Sequence, residues 1–562
     1  MNAPAHQLSA RGRLGVFVVV ALICAVAASG IDWGLPSAER AKFIYGWHQP
    51  WTGKQVQAFE PRVAAAADID ATPLPADQPS LWLSDTDAAR AEMVRRYLLF
   101  SSQPDEMQTF MALQQMNPSA RDFDPKMYKY GGLWVYPVGA LLKAAAVTGL
   151  IDLRPDSAFY YENPAAFGRF YVVARAYTLA WFAVLMAAAA VAVRRLGHSD
   201  TAAVATAALV GLLPACFAMA VEAKPHLPGA ALTLITCLAA HRWVRRGFYR
   251  DALVAGVAAG LATGMVPTAA VAALAVAVMP LLRREPILRR AAHGLVAGVA
   301  AVAAFAVTNP FVVIHLARGG GPLAATFDNS RAFYQSAVTA DVLGLAARHA
   351  LTAVSIPVAV AAAVAVAGWA VRRRRPGALA VLLFVPAAAV MGVFVLFAGG
   401  KNAEYARFAL FPSAVVAILI GWGLAQVRPA PLRIGLALVG VVATAGLATR
   451  GYVEAYLNDA LHGGTRTSVS HWLENETPRG TSVIEVMAEP APYAVPAFNL
   501  WRWRVLLTRD GSAPRGDIVL RALDRLPAAD PPAGYRPILF DGGHPPAPIA
   551  WADKPFELLL RE

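Results

Sequence analysis

The sequence predicts a polytopic α-helical membrane protein of about eleven transmembrane helices. It also predicts a large first outer loop and a small C-terminal α/β soluble domain. Three observations carry this. The 562 residues are 57% hydrophobic and only 15% charged, with a mean hydropathy of +0.46, whereas a soluble chain is about 45–50% apolar and about 25% charged. Many apolar runs reach the roughly 17–25 residues that cross a bilayer. From about residue 450 onward those runs stop, and prolines and charges return. The formal net charge is +13. Many of the arginines sit in short clusters between apolar runs, as positive-inside topology demands, so the charge gives no nucleic-acid partner. Cys24, Cys216 and Cys237 all fall inside apolar runs. None sits in a loop where a disulfide would form, and no spacing resembles a zinc site.

Residues 1–13 are a basic leader with Arg11 and Arg13, and residues 14–30 predict the first span, its N-terminus cytoplasmic. Ala25-Val26-Ala27 makes a cleaved signal peptide the alternative reading. Ile31-Asp32-Trp33-Gly34-Leu35-Pro36 follows as an aromatic exit suited to the membrane interface. The first outer loop covers residues 31–168 and contains one apolar segment, 133–150, interrupted by Pro137 and Lys143. Counting that segment as a span would send Arg194-Arg195 and every later basic cluster outward. It therefore predicts a juxtamembrane helix, which leaves Arg242, Arg245, Arg246, Arg250, the 283–290 and 372–375 clusters, Arg428 and Arg433 cytoplasmic. The remaining expected spans are 170–193, 202–220, 227–243, 251–264, 266–282, 292–315, 346–371, 378–398, 408–427 and 432–449, with Pro267 dividing one pair. Their alanines and glycines permit close helix packing. β-like runs at 482–486 and 504–508 predict an extracytoplasmic domain over 451–562, beside a transmembrane domain over 1–450.

Residues 104–136 lie between apolar runs and pass from acidic to aromatic and basic. Pro104-Asp105-Glu106 suits a helix N-terminus, where acids complement the macrodipole. It suits equally a carboxylate base held at the membrane surface. Asp122, Asp124, Pro125, Lys126, Tyr128, Lys129 and Tyr130 follow. Lysines can hold a phosphate, and aromatics can stack on a sugar or lie at lipid headgroups. Glu222-Ala223-Lys224-Pro225-His226 puts three ionisable groups in a tight turn between expected spans, where such groups are costly and mark function; the plain alternative is a solvated loop. Arg175, inside an expected span, either snorkels outward or pairs with a carboxylate. Lys401 and Arg407, six residues apart with Glu404 and Tyr405 between them, can grip a phosphate or anchor the chain at the interface. The outer loop 316–340, with Arg318, Phe327, Asp328, Asn329, Arg331, Phe333 and Tyr334, reads as a connector or as a lid over a lipid groove.

In order, the chain shows Trp33-Gly34-Leu35-Pro36, Pro104-Asp105-Glu106, and Asp124-Pro125-Lys126-Met127-Tyr128-Lys129-Tyr130-Gly131-Gly132. Then come Arg175 in a span ending in a basic pair, Glu222 in a second outer turn, and Arg407-Phe408-Ala409-Leu410-Phe411-Pro412. Over roughly residues 14–450 this ordered set resembles the GT-C membrane glycosyltransferases, especially the protein O-mannosyltransferase and aminoarabinose transferase branch. The resemblance implies an inverting transfer of one sugar from a polyprenyl-phosphate donor to a lipid, glycan or protein acceptor on the outer face. It implies a catalytic acid at Asp105, with Glu106 the nearer rival, and a second acid at Glu222. Lys126 or Lys129, and Arg407, would hold the lipid phosphate. Arg175, Lys224, His226 and Lys401 are further donor-binding candidates from their charge and place. Two departures stand out. About seventy residues separate Pro36 from Asp105, and Phe408 stands where many members carry tyrosine. No nucleotide-binding fingerprint is present, in keeping with a lipid donor. The residues call for no cofactor and leave a divalent metal open. The expected location is a bacterial inner membrane, with the site facing outward. The rival readings are a lipid or polysaccharide transporter or flippase, which would place its charges near the midplane of inverted repeats, and a non-enzymatic membrane scaffold.

Overall fold

The computed structural model describes residues 7–60, 78–321, 323, 324, 326, 328, 331, 337–371, 377–398, 400–486, 492–508, 513–523, 530–542 and 547–562. The expected basic cluster 372–375 lies outside the described residues, as do Phe327, Asn329, Phe333 and Tyr334 of the expected lid. The chain divides into two compact units. The first comprises Met1–Ala28, Ala112–Gly139 and Ala176–Arg450, and the second Ser29–Met111, Ala140–Arg175 and Gly451–Glu562.

In the first unit apolar helices dominate. Among the described residues, seven helices of the chain are long and apolar enough to cross a membrane, or nine if each of two bent pairs counts as one span. The sequence predicts eleven, and the two that fall short are the pair divided by Pro267. Tyr249–Met265 has 17 residues. Pro267–Leu282 is broken into a 3-10 turn, a short α-helix and a second 3-10 turn. Proline lacks an amide hydrogen and opens a new turn rather than prolonging the old one. The bent pairs have the same cause. Asp200–Leu212 and Pro214–Ala220 meet at 66°, and Ala340–Val354 and Ile356–Val371 at 96°, with Pro214 and Pro357 at the start of the second helix of each pair. Gly132–Val147 has 16 residues with Pro137 inside. At about 24 Å it is shorter than the roughly 30 Å hydrocarbon core.

Small residues set the spacing in this unit. Tyr249–Met265 packs along Ile287–Thr308, where a Cβ on Gly256 or Gly260 would run into the carbonyls of Ala297 and Ala301. His226–Arg246 has 21 residues, so its ends are about 31 Å apart. At the Arg246 end the basic clusters meet. Arg195 donates to the Leu238 carbonyl at 2.8 Å, Arg283 to the Val244 carbonyl at 2.6 Å, and Arg194 to the Gln7 carbonyl at 2.9 Å. Arg242 pairs with Asp251 at 2.5 Å. At the His226 end, loop backbone is tied to helix termini. The Gly131 amide donates to the Met265 carbonyl at 3.1 Å, and the Gly132 amide to Asn309 Oδ1 at 2.7 Å.

The second unit is built on a six-stranded mixed sheet in the order β1-β3-β2-β4-β6-β5. Its strands are β1 (Ser80–Trp82), β2 (Val483–Val486), β3 (Arg504–Thr508), β4 (Ile518–Ala522), β5 (Tyr535–Phe540) and β6 (Phe556–Arg561). The β-like runs 482–486 and 504–508 are β2 and β3, which pair in parallel. The outer loop supplies β1, antiparallel to β3. Val505–Leu507, Ile518–Leu520 and Leu558–Leu560 are buried, as a covered sheet requires. Glu485, wholly buried in β2, is matched by Thr508 Oγ1 at 2.7 Å and the amides of Gly516 at 2.7 Å and Arg515 at 2.5 Å. A carboxylate so supplied is tolerated inside the sheet.

The gathering of arginines at one end predicts the sidedness of the first unit. In a cysteine-free background, a single cysteine at Lys126 should react with a membrane-impermeant maleimide in intact cells. One at Arg246 should react only after permeabilisation. Labelling of Arg246→Cys from outside would invert the topology.

Candidate active site

Asp105 and Glu106 lie in the second unit, in a turn just before the helix Met107–Gln114. They precede the helix rather than forming its first turn. Gln103 caps this turn, its Oε1 accepting from the Asp105 amide at 2.7 Å and the Glu106 amide at 3.2 Å. Asp105 is half-buried. Glu106 and Arg175 are both wholly buried and form a two-pronged pair. Arg175 Nε meets Glu106 Oε1 at 2.8 Å, and Nη2 meets Oε2 at 2.7 Å. Ser101 Oγ donates to the same Oε2 at 2.5 Å. Nη1 of Arg175 donates to the carbonyls of Ile31 and Trp33, each at 2.7 Å. The guanidinium lies 4.7 Å from the centre of the Trp33 ring. Of the two alternatives for Arg175, snorkelling and pairing, the structure has the pair.

The other predicted residues lie in the first unit, at its His226 end. Glu222 and Lys224 occupy the turn between Pro214–Ala220 and His226–Arg246. They are buried, with Lys224 Nζ 3.6 Å from Glu222 Oε2. His226 opens its helix with its ring edge-on to Tyr130 at 6.1 Å and to Phe408 at 5.2 Å. Arg407, on the 3-10 turn Ala403–Ala409, is buried beside Glu404. Its guanidinium is 4.7 Å from the Tyr405 ring and 5.2 Å from the Phe408 ring. His226, Val266, Arg407 and Phe408 line one small cavity of about 30 Å³. The structure thus brings His226, Tyr130, Phe408 and Arg407 together. Lys401 is half-buried, and its carbonyl accepts from His349 Nε2 at 2.6 Å. Lys126 is half exposed, with Nζ 3.5 Å from Asp122 Oδ2. Lys129 is half-buried in the same loop.

One constellation escaped sequence reasoning. Asp124 Oδ2 accepts from His315 Nε2 at 2.8 Å. Its Oδ1 accepts from Tyr128 at 2.6 Å and from the Lys126 amide at 3.0 Å. Burial works to raise the Asp124 carboxyl, but the bonds from Tyr128, His315 and the Lys126 amide outweigh it and hold it below the usual carboxylate range. Burial, joined by the same contact, pushes the Tyr128 hydroxyl well above its ordinary value. His315 sits on the helix Pro310–Ala317. It is the one ionisable residue between Asn309 and Ala317, and that was the signal available.

Two larger cavities lie elsewhere, one in each unit. One of about 450 Å³ lies in the first unit among Ile356–Val371, Leu410–Ala425 and Ala430–Thr444, with no ionisable side chain in its lining. The other, about 460 Å³, is in the second unit and is polar, with Asp32, Glu39, Arg169 and His462 on its walls. Among the described residues no three of His, Cys, Asp and Glu are grouped as metal ligands.

No family profile and no curated protein sequence matches the chain. Solved structures of the oligosaccharyltransferase of Archaeoglobus fulgidus show a distant similarity. The apo form is 12% identical, with 72% of this chain on 61% of that one and a TM-score of 0.39. The form tethered to an acceptor peptide with the NVT sequon is 11% identical, with 88% on 64% and a TM-score of 0.37. The archaeal oligosaccharyltransferase AglB with an inhibitory peptide and a dolichol-phosphate is 11% identical, with 90% on 65% and a TM-score of 0.40. The chain therefore spans less than two thirds of the length of these proteins. Similarity at this level carries neither fold nor activity across.

Proposed function

We propose that the chain is a membrane glycosyltransferase that moves a sugar, with inversion, from a polyprenyl-phosphate donor to an acceptor on the outer face. One observation carries the reading. Asp124, Glu222, Lys224, Glu404 and Arg407, all less than 10% exposed, are buried in a unit of apolar helices. Ionisable groups in such surroundings are costly and are kept where function needs them. Their mixture fits the reaction. Lys224 and Arg407 are cations that can hold a phosphate by charge-assisted hydrogen bonds. Fixed cations also stabilise the charge that grows on a departing lipid phosphate. Tyr130, His226, Tyr405 and Phe408 offer ring faces and edges to a sugar or an isoprenoid. The apolar cavity of about 450 Å³ has the chemistry of a lipid chain. Lys126, Lys129 and Lys401 are the further donor-binding residues we propose, with Glu222 as the second acid.

The attacking hydroxyl needs a base, and a carboxylate suits an oxocarbenium-like transition state. Both oxygens of Glu106 are engaged by Arg175, and one also by Ser101. We therefore assign the base to Asp105 and a positioning part to Glu106. Arg175, with three of its nitrogens so used, positions the turn instead of binding donor.

The test is turnover by the purified full chain in nanodiscs with polyprenyl-phosphate hexoses and pentoses. Failure with every donor and acceptor offered would sink the reading. Arg407→Ala should lower kcat/KM about tenfold to a hundredfold, since a hydrogen bond to a charged group contributes roughly 1.5–3 kcal/mol. Unchanged kinetics would remove Arg407 from the site. Asp105→Asn should lower turnover about 10²–10⁴-fold with little change in melting temperature. Glu106→Gln leaves the Arg175 charge buried without its counter-charge. It should cost about 3–5 kcal/mol of stability, seen as a lower Tm. A Glu106→Gln variant that melts normally but is inactive would exchange the two roles.

A further inference from the structure

The second unit carries an aromatic cluster that the transfer reaction does not use. Trp501 is its hub. Tyr45 and His48 stack on Trp501 at 5.4 and 5.6 Å, Arg90 lies 5.5 Å from its centre, and Trp51 meets it edge-on at 5.1 Å. From this hub the rings continue outward. Phe59 stacks on Trp51 at 5.7 Å, and Trp47 lies against His48 at 5.3 Å. Trp47 is 71% exposed and Phe59 43%. Large apolar side chains grouped at a surface with a polar rim mark a contact site.

The backbone holds the rings firmly. Thr52 and Gln55 form a reciprocal cap on the short helix Gly53–Ala58. The Gly53 amide donates to Glu162 at 2.9 Å, and Gln57 donates to Asp156 at 3.1 Å. Gly46, with φ at +55°, makes the turn into Trp47, and a Cβ there would strike Asn499. Such a surface suits either a sugar or a bilayer, and two features decide. The exposed large apolar residues between positions 45 and 60 are Trp47 and Phe59, a smaller apolar face than an interfacial anchor helix buries. The charges around it are mixed, with Asp87, Asp156 and Glu162 beside Lys54, Arg90 and Arg502, so these residues form no basic cluster to hold an anionic bilayer surface. Flat rings with hydrogen-bonding neighbours match a pyranose, which has an apolar face and a polar edge.

We propose that Trp47, Trp51 and Phe59 form a stacking platform for a neutral glycan chain, distinct from the residues assigned to the transfer. The platform stands apart from the transfer reaction, and its test does not require turnover. The full chain in nanodiscs is titrated calorimetrically with the neutral hexasaccharides of β-1,4-linked glucose, α-1,4-linked glucose, β-1,4-linked N-acetylglucosamine and α-1,6-linked mannose. At least one should bind saturably, and Trp47→Ala should weaken it about tenfold or more while Trp47→Phe keeps most of the affinity. Trp47 is exposed, so Tm should be unchanged in both variants. The proposal is overturned if none of the four binds, or if Trp47→Ala and Trp51→Ala bind as the unaltered chain does. It is also overturned if brominated phospholipids in the nanodisc quench fluorescence that Trp47→Phe removes, since that result would place the platform in the bilayer.

Discussion

A guanidinium taken out of water must be met by a carboxylate and by carbonyl oxygens, and the second unit is arranged around this demand at Arg175. Glu106 supplies the charge, and Ile31 and Trp33 supply backbone carbonyls. One side chain thereby fixes residues 31–33, 101–106 and 175, which are far apart in sequence. The same short stretch is held from another direction. Trp33 packs edge-on against Tyr456 at 5.3 Å, and the Gly34 amide donates to Asp459 at 2.7 Å. Asp459 also accepts from Arg466 at 3.4 Å and from the Asp553 amide at 3.0 Å. Buried pairs of this kind contribute little net stability, because desolvation offsets attraction. Their effect here is on geometry: with both Glu106 oxygens fixed, the neighbouring Asp105 has little freedom.

The first unit solves a different problem, that of irregular backbone at the ends of apolar helices. Residues 117–131 form no regular element longer than the turn Pro118–Ala120, so their amides need other partners. Asn117 and Asp122 exchange backbone hydrogen bonds at 2.7 and 3.0 Å. Arg121 and Lys126 take left-handed conformations, with φ of 56° and 51°. A non-glycine residue in that region costs energy and persists where neighbours enforce it. For Lys126 the enforcing contact is its own amide on Asp124, while Tyr128 and His315 hold that carboxylate from two other directions. The Asp124 hub thus ties the loop to Pro310–Ala317, as Gly131 and Gly132 tie its end to Met265 and Asn309.

Composition and apolar runs made the helices legible, because a bilayer leaves few alternatives for an unpaired amide. The proline breaks were visible too, but their consequence was not. Pro214 and Pro357 each read as part of one span, and only packing shows a bend of 66° or 96°. β2 and β3 were legible as β-branched and apolar runs. β1 was hidden, because three residues of outer loop acquire strand geometry only by pairing with β3. Among the site residues, Asp105, Glu222, Lys224 and Arg407 stood out as charges beside apolar runs. Nothing local told Glu106 from Asp105, since the distinction is a bond to Arg175, 69 positions away. His315 was obscured for the same reason: its carboxylate partner is 191 positions away.

The two ends of the first unit differ in a way that bears on mechanism. At the Arg246 end, Arg283 meets the Val244 carbonyl, one of the last four of its helix, and Arg242 pairs with the buried Asp251. At the His226 end, buried acids and cations occur together with rings, and a cavity opens between His226 and Arg407. A transporter carries its binding groups near the midplane, at the interface of its repeats. Here His226 is the first residue of its helix, Arg407 precedes Leu410–Ala425, and Asn309 follows Ile287–Thr308. These groups sit at one set of helix ends, about 31 Å from the Arg246 set, where the buried Asp251 is matched by Arg242. Charges gathered at helix ends, and not at the midplane, favour chemistry at a face over passage through the helices.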